Sequence, residues 1–118
     1  MKSIIVSLSL ALGIAAAMSM SSKENKTTVA SWYGEKYRGK PTASGEPFNP
    51  SELTAAMWDV PFGTRFRVTY QGKSVVVRIN DRGPAKHLKR GIDLSKAAFK
   101  KLSPLSKGLI SVKLERLK

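Results

Sequence analysis

Between positions 66 and 79 apolar and polar residues alternate twice, on either side of a tight-turn dipeptide. Phe66, Val68 and Tyr70 alternate with Arg67 and Thr69, Gln71-Gly72 supplies the turn, and Val75, Val77 and Ile79 alternate with Val76 and Arg78. A two-residue period puts successive side chains on opposite faces, so this stretch is a β-hairpin with one face turned to a core. An isolated hairpin is marginal in water, and the rest of the chain must extend the sheet. Thr27 to Tyr33 (TTVASWY) has strand composition, and near the end Ile110, Val112 and Leu114 alternate with Ser111, Lys113 and Glu115. Only Asp93 to Leu102 (DLSKAAFKKL) reads as a helix, with Ala98, Phe99 and Leu102 on one side, Asp93 as its cap and Ser103-Pro104 as its stop. Ser51 to Ala56 is predicted to form one further helical turn with Ser51 as N-cap. So few helices cannot supply parallel crossovers throughout, which favours a small all-β barrel over an α/β sheet.

The 118 residues suffice for one domain, and no cysteine and a single histidine, His87, leave little scope for a disulfide framework, a thiolate nucleophile or a metal cluster. Chemistry must rest on carboxylates and hydroxyls. No metal or cofactor is expected. Lys2 followed by the apolar run IIVSLSLALGIAAA and small residues has the order of a secretory signal peptide, assigned to residues 1–19, with cleavage after Ala17 or Ser19 both open. The run is shorter than the roughly 20 apolar residues a bilayer span needs. Residues 20–27 form a polar lead-in and 28–118 the domain. Removing Lys2 leaves 20 basic against 8 acidic residues, a charge of +12 on an exported chain, which directs attention to peptidoglycan or a lipid surface rather than nucleic acid. Without cysteine, lipid attachment at a lipoprotein-type position is excluded.

Among the eight carboxylates, Glu46 and Asp81 form the best pair for glycosidic cleavage, which needs an acid for the leaving oxygen and usually a second carboxylate. Glu46 lies in the long loop from Tyr37 to Pro50, dense in Gly, Pro, Ser and Thr, and Asp81 ends the hairpin in Asn80-Asp81-Arg82-Gly83-Pro84. By parity Asp81 shares the face of Val75, Val77 and Ile79 unless a bulge intervenes. Trp32, Tyr33, Tyr37 and Trp58 offer apolar faces for sugar rings, although a domain this small needs at least half of them for its core. His87, within Lys86-His87-Leu88-Lys89-Arg90, reads as a solvated loop residue in a basic run that can contact an anionic polymer.

Six blocks in order, Ala30-Ser31-Trp32-Tyr33-Gly34, Thr42-Ala43-Ser44-Gly45-Glu46, Leu53-Thr54-Ala55-Ala56, Pro61-Phe62-Gly63-Thr64, Val76 to Pro84 and Ile92-Asp93-Leu94-Ser95, closely resemble the rare lipoprotein A (RlpA-like) domain. The resemblance covers about residues 28–117. It implies a six-stranded double-psi β-barrel with one or two short helices, related to expansins, and a lytic transglycosylase acting on peptidoglycan strands that lack stem peptides. The family's acidic pair falls on Glu46 and Asp81, and Trp32, Tyr33, Ser44, Arg82 and Asp93 are expected to bind substrate. One position departs: members commonly carry histidine directly after the Thr-Ala-Ala block, where this chain has Met57, which cannot transfer a proton. The lipid-anchoring cysteine and a C-terminal glycan-binding repeat domain are also expected to be absent. The alternative is a non-catalytic, expansin-like glycan-binding module. In either case the partner is a peptidoglycan glycan strand, and the mature domain is expected to be a monomer without stable membrane insertion.

Overall fold

The computed structural model describes residues 25–118. The leader expected at 1–19 lies outside them. Six strands carry the fold: β1 Asn25–Tyr33, β2 Thr54–Ala56, β3 Arg65–Tyr70, β4 Lys73–Asp81, β5 Ile92–Ser95 and β6 Ile110–Arg116, with one helix, α1, at Lys96–Leu102. They close in the order β1-β5-β2-β4-β3-β6, and β6 pairs back onto β1. The β1/β5 and β2/β4 pairs are parallel and the other four antiparallel, so every strand has two neighbours and no edge is left unpaired. This is the six-stranded barrel that the resemblance implies.

The hairpin forms as its alternation requires. Gln71 and Gly72 both take positive φ, 46° and 80°, the twist that suits a two-residue connection, and Val68 pairs with Val75 and Phe66 with Val77. Val68, Val77, Ile79, Leu94, Val112 and Leu114 fill the barrel interior, and α1 plugs it with Ala98, Phe99 and Leu102. Full burial of Phe99 alone is worth about 2–3 kcal/mol. β1 begins at Asn25, so residues 25–27, read as lead-in, pair with Lys113, Leu114 and Glu115 of β6. Gly91, just before β5, donates its N–H to Val29, and a Cβ there would collide with the Thr28 side chain.

Two local expectations are corrected. The turn expected at Ser51 to Ala56 is not helical: Asn49 Oδ1 accepts from the Ser51 N–H, and Thr54–Ala56 form β2, wholly buried between β4 and β5. Pairing on both sides claims these backbone groups for the sheet and overrides the helix preference of the two alanines. The helix starts at Lys96 rather than Asp93, because residues 92–95 pair with β1 and form β5. Ser95 is the cap: its Oγ accepts from the Ala98 N–H at 3.2 Å and donates to the Glu52 carbonyl at 2.6 Å. Asp93 is therefore a strand residue opposite Ser31.

Candidate active site

β4 ends in a bulge. Ala55 pairs with Ile79 but Ala56 with Asp81, so Asn80 is the extra residue and the strand's parity is reset before Asp81. Asn80 becomes buried and Asp81 turns, half-buried, into a cleft of about 270 Å³ between the long loop and the 81–85 turn. Tyr33 and Asp93 enter from the ends of β1 and β5, Arg82 and Pro84 from the turn, and Lys40 and Phe48 from the loop. The loop is held over this position by its own pairing. Pro41 bridges Pro47, Thr42 and Glu46 close a turn, and Phe48 stacks on Tyr33 with ring centroids 4.4 Å apart.

Two backbone donors converge on Asp81 Oδ1, the N–H of Ala43 and that of Arg82, each at 2.9 Å. The loop and the strand end thus fix one oxygen, while among the described residues no hydrogen bond falls on Oδ2. The Tyr33 hydroxyl is buried, approaches Asp81 without the geometry of a hydrogen bond, and has no hydrogen-bond partner among the described residues. Burial, and then the charges of Asp81 and Asp93, push its pKa well above the phenol range. Burial also raises the pKa of Asp93, against the opposing effects of a 3.1 Å hydrogen bond from Ser31 Oγ and of Arg90. Asp81, Asp93 and Tyr33 therefore line one cleft, and both carboxylates perturb the phenol.

Glu46 does not line this cleft. Its Oε1 accepts from Arg78 Nη1 at 2.7 Å and from Asn80 Nδ2 at 2.6 Å, and these bonds hold its carboxyl below the usual range. It is joined to the cleft through Asn80, the residue before Asp81. Arg82 does line it. Its guanidinium lies 3.9 Å from the Phe62 ring and donates to the Met57 carbonyl. Trp32 is turned to the core, its indole N–H donating to the Leu105 carbonyl and its ring against Phe99, and Ser44 shares a hydrogen bond with Thr42 on the exposed loop. Lys40, Thr42 and Phe48 were not singled out from the sequence; the density of Pro and Gly around them was the available signal. Among the described residues no cluster of three or more His, Cys, Asp or Glu could hold a metal ion.

The family model described as "Lytic transglycolase" matches residues 25–114. The probable endolytic peptidoglycan transglycosylase RlpA of Nostoc sp. is 50% identical over 93 residues, which cover 75% of this chain and 25% of that protein. The endolytic peptidoglycan transglycosylase RlpA of Neisseria meningitidis is 45% identical over 94 residues, covering 78% of this chain and 39% of that protein. The chain thus spans only a quarter to two fifths of the length of these curated relatives. Among solved structures, the Streptomyces papain inhibitor superposes with a TM-score of 0.67 at 27% identity, covering 80% of this chain and 94% of that one. An apo Clavibacter michiganensis expansin gives 0.65 at 20% identity over 80% of this chain and 50% of that one, a likeness of fold alone.

Proposed function

Because the chain belongs to the lytic transglycolase family, we propose that it cleaves the MurNAc–GlcNAc bond of peptidoglycan strands to 1,6-anhydromuramyl ends, preferring strands that lack stem peptides. The observation that carries this reading is Asp81, a cleft carboxylate with one oxygen fixed by two backbone N–H groups and the other left for substrate. Asp81 donates its proton to the glycosidic oxygen as the C1–O bond breaks. The muramyl 6-hydroxyl then closes on C1 and its proton returns to Asp81, so the acid is regenerated and water takes no part. Asp93 and Tyr33 meet the sugar within the cleft, and Arg82 offers a planar fork to its carboxylate oxygens. Glu46, outside the cleft and paired with Arg78, acts by position: it fixes Asn80 and so the strand end that bears Asp81. Acting on the wall places the protein outside the cytoplasmic membrane.

Digestion of purified glycan strands, read by mass spectrometry, should release anhydromuramyl products; strands left intact under conditions where a related enzyme works would overturn the reading. Met57 favours the second reading, a glycan-binding module without turnover, since the side chain at the family's usual histidine position can move no proton. Co-sedimentation with insoluble peptidoglycan in the absence of product would establish it.

A further inference from the structure

We infer that the Tyr33 hydroxyl is a positioning donor for the acid: when the Asp81 proton passes to the glycosidic oxygen, the phenol O–H turns onto Asp81 Oδ2 and holds the carboxylate until the muramyl 6-hydroxyl returns the proton. This deepens the lytic reaction proposed above and rests on it. Tyr33 ends β1, and its ring is clamped, stacked on Phe48 at 4.4 Å between centroids and set edge-on to Tyr37 at 5.9 Å. Its oxygen is buried, and no hydrogen-bond partner for it stands among the described residues. Burying a donor without a partner costs the fold stability. Packing alone would be served as well by a second phenylalanine on Phe48, so the hydroxyl answers to the cleft rather than to the core.

The surroundings choose its partner. Asp81 on β4, Asp93 on β5, Arg82 on the turn, and Tyr37 and Lys40 in the loop are the titratable or charged groups that line the cleft with it. Asp93 Oδ1 already accepts from Ser31, whereas Asp81 Oδ2 receives no hydrogen bond among the described residues, and of the two carboxylates Asp81 weighs more on the phenol. Burial first, and then those two charges, raise the Tyr33 pKa, so the phenol keeps its proton and acts as a donor, never as the base. Donors of this kind are often misaligned in a free enzyme and tighten as the reacting complex forms. The balance closes without Tyr33 giving up a proton. The Asp81 O–H bond breaks as its proton joins the leaving oxygen, the electrons of the C1–O bond depart with that oxygen, O6 bonds to C1, and the O6 proton goes back to Oδ2. Met57, at the family's usual histidine position, is buried and lines hollows outside the cleft, so the group beside the acid in this chain is a phenol.

Tyr33→Phe keeps the stack on Phe48 and removes only the hydroxyl. With stem-free glycan strands kcat should fall about tenfold at unchanged KM, the loss of one hydrogen bond to a charged group. The falling limb of the kcat–pH profile should move to higher pH, because the Asp81 carboxylate is held less well. The melting temperature should stay level or rise, since an unpaired buried donor has been removed. Asp93 titrates in the same cleft, so the limb is read again in the Asp93→Asn chain, where the same displacement should persist. A raised KM with kcat and limb unchanged would make Tyr33 a substrate contact and overturn the inference; so would a lowered melting temperature with no displacement of the limb. Carbon-13 NMR of the Asp81 carboxyl, titrated with stem-free strands present, separates this inference from the lytic reading. If the wild type yields no anhydromuramyl product, a midpoint that rises in Tyr33→Phe upholds the phenol–carboxylate bond and refutes only the catalytic reading, whereas an unmoved midpoint overturns both.

Discussion

The Ala43 N–H donates to Asp81 Oδ1 at 2.9 Å, joining a loop residue to a strand end 38 positions later. With the Arg82 N–H on the same oxygen, the carboxylate is oriented by backbone, which neither rotates nor titrates. Asp81→Asn keeps an oxygen for both donors but has no proton to give the glycosidic oxygen. Anhydromuramyl release should fall by about 10²–10⁴-fold with little change in melting temperature. Turnover at the wild-type rate would remove Asp81 from the acid role.

Asp93 should lower stability at neutral pH. Its folded pKa is raised above the unfolded value of 3.8, chiefly by burial, so the protonated form is favoured by folding; the contribution is fully present below 3.8 and is lost as pH rises through the folded value. Asp93→Asn retains an acceptor for Ser31 without the buried charge. Urea midpoints should show the variant more stable than wild type at pH 7, with the difference narrowing towards pH 3. Such a residue, costly to the fold and facing the cleft, is expected to lower glycan affinity when replaced.

Glu46 has the opposite sign. Arg78 first and then Asn80 lower its folded pKa below 4.5, so its contribution is present above 4.5 and disappears as pH falls through the folded value. The pair with Arg78 is about two fifths exposed on each side, and solvent screening limits it to about 1 kcal/mol or less. Glu46→Gln should therefore cost little at pH 7 by urea denaturation, and less as pH falls below 4.5, while product release falls because Asn80 is held less firmly. A large stability loss at pH 7 would contradict this screened pair.

Gly91→Ala should destabilise the barrel by about 1–3 kcal/mol, since the added methyl meets the Thr28 side chain where β1 approaches β5. Thr28→Gly in the same chain should recover most of that loss in a double-mutant cycle of thermal melts. Additive losses would place the strain elsewhere.

Much of this barrel was legible because its hairpin and last strand each have one buried face, and alternation reports that directly. β2 was not: Thr54, Ala55 and Ala56 are all buried, so no alternation survives, and two alanines in three residues look helical. Ser95 and Asp93 exchanged roles for a related reason, since the strand pairing that excludes residues 92–95 from the helix comes from β1, some sixty positions earlier. At the site, Tyr33, Asp81, Arg82 and Asp93 lie along one cleft. The position of Glu46 could not be read, because Arg78 and Asn80 reach it from another strand. Lys40 and Phe48 arrive only once the loop has folded back through Pro41 and Pro47.

The strand order has a kinetic consequence. The two neighbours of β1 are β5 and β6, so the first strand of the barrel finds its second partner only when the last residues of the domain have left the ribosome. Such non-local pairing defers closure until the last strand has been made. Until Ile110–Arg116 is available the barrel cannot close, and one edge of β1 stays unpaired in the nascent chain.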